Sequence, residues 1–156
     1  MDAGAFAVVA LGSNMGDRAG FLALARERLR ASGFPWTRAS RVLETAPIGG
    51  PPGQGPYLNQ LLAAPLAGIP LSPGQLLRVC LAVEDVAGRV RRERWGPRTL
   101  DVDLLTWGER RIRTERLVVP HPALPDRPFL RVLLEDLGPG WGKIPDPCNR
   151  RRTPGW

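Results

Sequence analysis

The 156-residue sequence has few of the features that mark membrane or secreted proteins. It contains no apolar run long enough to cross a bilayer, and its first residues lack the basic segment and cleavage site of a secretory signal. Its two cysteines, Cys80 and Cys148, are too few for a disulfide framework or a metal knuckle. We therefore expect a cytoplasmic protein that folds as one domain over residues 1–156.

Negative charge is also scarce, with 15 acidic residues against 22 basic ones and a formal net charge of +7 at pH 7. Lys143 is the only lysine and His121 the only histidine, so arginine carries almost all of the positive charge. Such a balance favours an anionic partner. It does not choose between a nucleotide, a nucleic acid and an acidic surface.

Hydrophobic periodicity predicts alternating strands and helices along the chain. In order, the pattern gives a strand at Ala5–Leu11, a helix capped by Asp17 and ending at Gly33, strands at Trp36–Glu44 and Tyr57–Pro65, a helix from Ser72 to Gly88, a strand at Leu100–Leu105, a hairpin turn at Trp107–Ile112 and a helix capped by Asp126 that ends at Gly138. This β-α-β-β-α-β order predicts an α+β fold, a ferredoxin-like antiparallel sheet with helices packed on it in αβα layers.

The strand at Leu100–Leu105 alternates strictly, with apolar residues on one face and Asp101 and Asp103 on the other. Two such carboxylates stand about 7 Å apart and repel one another unless a cation lies between them. Oxygen ligands of this kind suit Mg²⁺, which usually takes one or two carboxylates together with substrate phosphates. Guanidinium groups suited to phosphate oxygens precede the strand at Arg89, Arg91, Arg92, Arg94 and Arg98. The pattern favours a magnesium–polyphosphate site; the alternative is a solvated, ion-paired strand face.

Three further features suggest a site. In the segment 45–56, eight of twelve residues are Gly or Pro, which is typical of a lid or binding loop, the alternative being a disordered insertion. Glu84 lies near a helix C-terminus, where the dipole disfavours a carboxylate, so we expect it to pair with an arginine or to contact a ligand. His121 lies in a proline-flanked loop near arginines, which favours a functional role over a structural one.

Four segments resemble motifs of one known family: ALGSNMGD from Ala10, TAPIG followed by YLNQ, GRVRRERWGPRTLDVDLL from Gly88, and VPHP followed by RPFL. They are similar to the 6-hydroxymethyl-7,8-dihydropterin pyrophosphokinases of folate biosynthesis, over about Ala10 to Leu137. The resemblance implies transfer of the terminal pyrophosphoryl group of ATP to the hydroxymethyl group of the pterin, with release of AMP. ATP and the pterin are then the expected small-molecule partners.

The resemblance also implies a role for each matched position. Two Mg²⁺ ions would be held by Asp101 and Asp103, which form the catalytic group together with Arg89 and Arg98. The pterin pocket would comprise Thr45, Pro47, Tyr57, Asn59 and Phe129. ATP would be bound by Glu84, Arg91, Arg94, Trp95, Arg98, Leu104, Arg116, Val118, His121 and Arg127. The sequence leaves open whether Asp101 or Asp103 accepts the proton of the attacking pterin hydroxyl group. The choice between Arg91 and Arg92 for a given phosphate also stays open, because the segment between Gly88 and Trp95 is one residue shorter than in well-known members.

Two alternatives to an active enzyme have less support in the sequence. A basic ferredoxin-like module that binds RNA lacks support, because the sequence has no aromatic-rich strand of the RNA-recognition type. An acidic pair among the arginines would also repel a phosphate backbone unless metals intervened. A catalytically silent relative is disfavoured by the intact pair of Asp101 and Asp103. We therefore expect a monomeric enzyme with no nucleic-acid and no membrane partner.

Overall fold

The structure is a computed structural model that describes residues 2–47, 49–50, 52–88 and 99–143. Within these ranges the strands are β1 (Phe6–Ser13), β2 (Arg38–Ala39), β3 (Leu43–Thr45), β4 (Tyr57–Pro65), β5 (Asp101–Trp107), β6 (Ile112–Arg113) and β7 (Val118–Val119). The α-helices are α1 (Arg18–Ala31), α2 (Pro73–Val86) and α3 (Pro128–Leu137). None of the helices in this described part is long and apolar enough to span a membrane.

The main sheet is antiparallel, with the strand order β2-β4-β1-β5. Strand β3 pairs with the same edge of β4 as β2 does, further along that strand. The short strands β6 and β7 pair with each other in a separate two-stranded sheet. The long strands β1 and β4 are rich in Val, Leu and Ala and are buried along most of their length, as strands covered on both faces are.

Side-chain alternation along β1 divides the core into two layers. Ala7, Val9 and Leu11 pack in a cluster with α1 and α2, whereas Phe6 and Val8 pack on the opposite face in a cluster with α3. The sheet is therefore sandwiched between α1 and α2 on one side and α3 on the other. This confirms the predicted α+β fold with αβα layers.

Two of the predicted helix starts are confirmed in atomic detail. The Asp17 carboxylate accepts a hydrogen bond from the Gly20 amide at 3.0 Å, so it caps α1. At the start of α2, the Ser72 hydroxyl accepts from the Gln75 amide at 3.2 Å and the Gln75 side chain accepts from the Ser72 amide at 2.9 Å. These two reciprocal bonds form the capping box that the sequence predicts.

Other predicted boundaries are wrong. Asp126 does not cap α3: it closes a 3₁₀ turn at Leu124–Asp126, and the helix begins at Pro128, whose fixed φ suits the first helical position. The chain does turn after Trp107, but β6 pairs with β7 instead of folding back on β5. The single strand expected at Trp36–Glu44 is two short strands, β2 and β3, separated by a bulge.

The first strand also extends two residues further than predicted. Gly12 and Ser13 belong to β1, because β4 and β5 pair with it on both sides through Gly12. Pairing on both sides overrides the local turn preference of the Gly-Ser-Asn sequence.

Candidate functional site

The acidic pair lies on the face of the sheet that α3 covers. Val102 and Leu104 point into the cluster with α1 and α2, so Asp101 and Asp103, which alternate with them, project from the opposite face. Both aspartates are half-buried. Across the β1–β5 pairing, Asp101 lies opposite Gly12 and Asp103 lies opposite Ala10. The residues opposite the two carboxylates are therefore small.

Gly12 lies at the middle of the strip of sheet surface between Asp101 and Asn59, which is called the trough below. In register it lies between Asp101 on one side and Asn59 on the other. Two strand spacings of about 4.8 Å put these side chains roughly 10 Å apart on the same face. A Cβ atom at Gly12 would stand 3.5 Å from Asn59 Oδ1 and 3.5 Å from the ring of Tyr57. The trough therefore has an acidic wall and an amide-and-aromatic wall.

The amide wall is held by contacts between β4 and β3. The buried Asn59 side chain donates through Nδ2 to the Thr45 hydroxyl at 2.7 Å and to the Leu43 carbonyl at 3.3 Å. Thr45 in turn lies opposite Tyr57 in the β3–β4 pairing. Because the amide nitrogen is directed to β3, the amide oxygen is the atom that faces the trough above Gly12.

His121 lies against the end of β5 that follows Asp103. Its main-chain amide donates to the Leu105 carbonyl at 2.8 Å, and its Nδ1 accepts from the Ala123 amide at 3.1 Å. Burial lowers the pKa of His121, the Asp103 carboxylate raises it, and the Arg127 guanidinium lowers it. The net direction is downward, so at neutral pH the imidazole is uncharged. With Nδ1 as an acceptor, its proton is on Nε2.

The loop between β3 and β4 is irregular throughout its described residues, as predicted. The end nearest β4 is fixed: Asn14 Nδ2 donates to the Gly55 carbonyl at 3.2 Å and to Gln54 Oε1 at 3.3 Å. Arg18 donates to the Pro56 carbonyl at 2.8 Å. These contacts hold this end of the loop against the segment that follows β1. Its role as a lid stays a prediction.

Glu84 makes a contact that neither expectation foresaw. The side chain is only 3 % exposed, and its Oε2 accepts a hydrogen bond from the Val102 amide at 2.8 Å. Within the described sheet β5 is an edge strand, so its outward amides need an acceptor from outside the sheet. Glu84 supplies that acceptor for the amide of Val102, which lies between the two aspartates in β5.

The remaining predicted residues fall into four groups. Phe129 and Pro47 are half-buried, Phe129 at the start of α3 against the α3 cluster and Pro47 in the loop after β3. The side chain of Leu104 is in the core, so only its main chain is available to a ligand. Val118 is half-buried in β7, and Arg116 is exposed in the turn before it. Arg89, Arg91, Arg92, Arg94, Trp95 and Arg98 lie outside the described residues.

One site residue was missed from the sequence. The sequence pattern places Gly12 just beyond the first strand, although a glycine within an apolar strand often marks the close approach of a ligand or another chain segment. Its neighbours on both sides, Asn59 and Asp101, give it a place at the centre of the site.

The structure is therefore an α+β fold that presents an acidic pair and an amide on one sheet face, with the His121 imidazole near Asp103. The chain belongs to the 7,8-dihydro-6-hydroxymethylpterin-pyrophosphokinase (HPPK) family, whose model matches residues 8–139. This match confirms the family resemblance found in the sequence. The protein is therefore an enzyme of the pyrophosphokinase type.

Individual relatives agree with the family assignment. A Synechocystis sp. protein named 2-amino-4-hydroxy-6-hydroxymethyldihydropteridine pyrophosphokinase is 39% identical over 136 residues, which cover 86% of this chain and 67% of the relative. Proteins of the same name from Methylorubrum extorquens and Bacillus subtilis are 41% and 37% identical, over 85% and 84% of this chain and 82% and 77% of their own lengths.

Proposed function

We propose that this enzyme transfers the terminal pyrophosphoryl group of ATP to the hydroxymethyl group of 6-hydroxymethyl-7,8-dihydropterin, releasing AMP in folate biosynthesis. One observation carries the proposal: Asp101 and Asn59 lie on either side of Gly12, on one face of the sheet. A phosphate-handling group and a group that can recognise a heterocycle are thereby about 10 Å apart, given the strand spacing. That separation suits a substrate with a flat ring at one end and a reacting hydroxyl at the other.

The amide wall is assigned to the pterin ring. Asn59 Oδ1 faces the trough and can accept hydrogen bonds from the N–H groups on the edge of the ring. Tyr57 supplies an aromatic face beside Gly12, and Phe129 is proposed to stack on the opposite face of the ring. Thr45 and Pro47 complete the pocket on the side of β3 and the loop that follows it.

The acidic wall is assigned to two Mg²⁺ ions, which Asp101 and Asp103 would hold. The donor set fits: both groups are oxygen ligands on one strand face, with only Gly12 and Ala10 opposite them. Within residues 2–47, 49–50, 52–88 and 99–143, no cluster of three or more His, Cys, Asp and Glu side chains is arranged to hold a metal. Two carboxylates leave the other coordination positions to phosphate oxygens and water, as is usual for Mg²⁺. When bound, the ions supply neutralisation of phosphate charge.

The ATP phosphates are assigned to the space between the acidic pair and the His121 loop. The neutral imidazole can donate its Nε2–H to a phosphate oxygen, and Arg127 adds positive charge nearby. On the strength of the family resemblance, Arg116 and the residues Arg89, Arg91, Arg94, Trp95 and Arg98 are proposed to bind the same nucleotide. Glu84, Leu104 and Val118 are proposed on its adenosine side, Leu104 through its main chain.

In this arrangement the residues position the reactants more than they react. The pterin hydroxyl oxygen attacks the β-phosphorus, the bond from that phosphorus to the α–β bridging oxygen breaks, and AMP leaves. The hydroxyl proton passes to Asp101 or Asp103, or to water. Charge neutralisation and in-line placement lower the barrier, and a closed site excludes water that would hydrolyse ATP.

The test is to incubate the protein with ATP, Mg²⁺ and the pterin and to identify the nucleotide product. We expect AMP in step with pterin diphosphate, and loss of both in Asp101→Ala and Asp103→Ala. Asp126→Ala, which removes an exposed carboxylate near the start of α3, is the control and should retain activity. ADP as the product would refute the reaction type. Absence of turnover in the folded wild-type protein would refute the proposed enzyme.

A further inference from the structure

The bulge between β2 and β3 decides which residues of β3 face the trough. Both strands pair with β4, Ala39 opposite Leu62 and Leu43 opposite Asn59. Three residues of the β2–β3 segment thus stand opposite two residues of β4, one more than a continuous ladder allows. In a continuous register Leu43 would lie opposite Leu58, and every side chain of β3 would project from the other face.

The extra residue therefore has a functional consequence. With the bulge, Thr45 lies opposite Tyr57 and shares the trough face with Asn59, whose amide it contacts at 2.7 Å. Glu44 projects from the opposite face, where its carboxylate meets Arg18 at 3.0 Å. Without the bulge, the Glu44 carboxylate would replace the Thr45 hydroxyl at the trough and would add a negative charge beside Asn59.

Side chains replace the missing ladder bonds at the bulge. The Ser40 amide donates to the Leu61 carbonyl at 2.9 Å, and the Leu61 amide donates to the Ser40 hydroxyl oxygen at 2.8 Å. The Ser40 hydroxyl donates to the Arg41 carbonyl at 2.8 Å. The Ser40 carbonyl accepts from Gln60 Nε2 at 2.9 Å, and Gln60 Oε1 accepts from Arg26 of α1 at 2.8 Å.

These bonds are specific to the bulged register. Ser40 is 4 % exposed and Gln60 is 7 % exposed, so a slip that broke their bonds would leave buried polar groups without partners. Gln60 follows Asn59 in β4 and therefore points to the α1 face while Asn59 points to the trough. The register is thus held from the side of the sheet opposite to the site.

We propose that Ser40 and Gln60 are positioning residues, which hold the bulge and so select the register that presents Thr45 to the pterin pocket. The inference rests on the proposed function, because it assigns the trough to the pterin. Neither residue contacts the substrate. Both act through Thr45 and Asn59.

The test is Gln60→Leu, which keeps the size of the side chain and removes its bonds to Ser40 and Arg26. We expect the KM for the pterin to rise about tenfold, as the loss of one well-made hydrogen bond in the site would produce, and the KM for ATP to change less than about twofold. Gln75→Leu makes the same chemical change in the capping box of α2 and should leave both KM values unchanged. An equal rise in both KM values, or no rise for the pterin, would overturn the inference.

Two further measurements distinguish a positioning role of Gln60 from a general loss of structure in the variant. Amide hydrogen exchange at Leu43–Thr45 should accelerate in Gln60→Leu and not in Gln75→Leu. In a double-mutant cycle, Thr45→Val should raise the pterin KM much less in the Gln60→Leu background than in the wild type, because Gln60 acts through Thr45. If the two substitutions raised the pterin KM by independent factors that multiply in the double variant, the inference would be contradicted.

A milder variant covers the case in which Gln60→Leu does not fold. Arg26→Gln alters only the half-buried end of the network and should raise the pterin KM in the same direction by a smaller factor. An unchanged pterin KM in this variant would count against the network. A wild-type protein that forms no AMP would refute the proposed function itself, whereas an active wild type with insensitive variants would refute the positioning role alone.

Discussion

Gly12→Ala should separate the stability of the fold from recognition of the substrate. The added methyl would stand at ordinary contact distance, 3.5 Å, from Asn59 and Tyr57, and the Gly12 backbone is not in the left-handed region. Replacing a glycine at such a position stabilises a protein by about 0.4–1 kcal/mol, chiefly through the unfolded chain. For a chain of this size, that raises the melting temperature by roughly 1–4 °C. The same methyl occupies the floor of the trough.

The expected effect on binding is opposite in sign. Atoms pack at about 3.5–4.0 Å, so a ring lying on the Gly12 backbone must move away from the methyl and lose contact with one of the two walls. A loss of about 1.4 kcal/mol corresponds to a tenfold weaker affinity for the pterin. Thermal unfolding and pterin titration by calorimetry measure the two effects on the same samples.

Gly74→Ala is the matched control for this variant. Gly74 lies in the first turn of α2, and nothing lies within 4 Å of a Cβ added there. The change should stabilise the helix and leave pterin affinity unaltered. If Gly12→Ala bound the pterin as tightly as wild type, the ring could not lie above Gly12. If it melted several degrees lower, the space inferred from the 3.5 Å contacts would be wrong.

Three other changes have distinct expected outcomes. Asp103→Asn, or chelation of Mg²⁺ in the wild type, should lower kcat for AMP formation by at least about a hundredfold, because charge neutralisation contributes several kcal/mol; retained activity would refute the metal assignment. Ser72→Ala should cost about 1 kcal/mol of unfolding free energy by breaking the capping box with Gln75, and neither KM should move. Asp136 has a pKa lowered from 3.8 to about 2 by its hydrogen bonds to Arg41, so that contact stabilises fully above pH 4 and is lost as the pH falls towards 2. Asp136→Asn should therefore have a flatter dependence of the urea midpoint on pH between 4 and 2, and an unchanged slope would contradict the assignment.

Features that depend on neighbouring residues in sequence could be predicted. The alternation of Asp101 and Asp103 with apolar residues is a property of one strand, and burial of the apolar set fixes the face on which the acids stand. The capping box at Ser72 is equally local. Both were expected from residues less than a turn or a strand apart, and both are found in the structure.

Features that depend on distant partners could not be predicted. The sequence around Asp126 resembles a cap, but Pro128 fixes the start of α3 two residues later. For Glu84 the sequence suggests an arginine or a ligand as partner, and it gives no sign of the hydrogen bond to the amide of Val102, a residue 18 positions away. The carboxylate accepts this bond because β5 is the edge strand of the sheet formed by the described residues, and that position follows only from the assembled sheet.

The bulge shows how a shift of one residue in the register changes which side chains face the candidate site. Period-2 alternation assigns faces only while the register is unbroken, and nothing in the sequence from Trp36 to Glu44 shows that one residue is extra. If the alternation of side chains in β2 continued without a bulge, Glu44 would face the trough and Thr45 would face away from it. The correct assignment requires Gln60 of β4 and Arg26 of α1, because Gln60 binds the Ser40 carbonyl in place of a main-chain partner and Arg26 holds Gln60. A motif match can propose a role for Thr45, but the physical reason that it shares a sheet face with Asn59 is a hydrogen-bond network on the opposite side of the sheet.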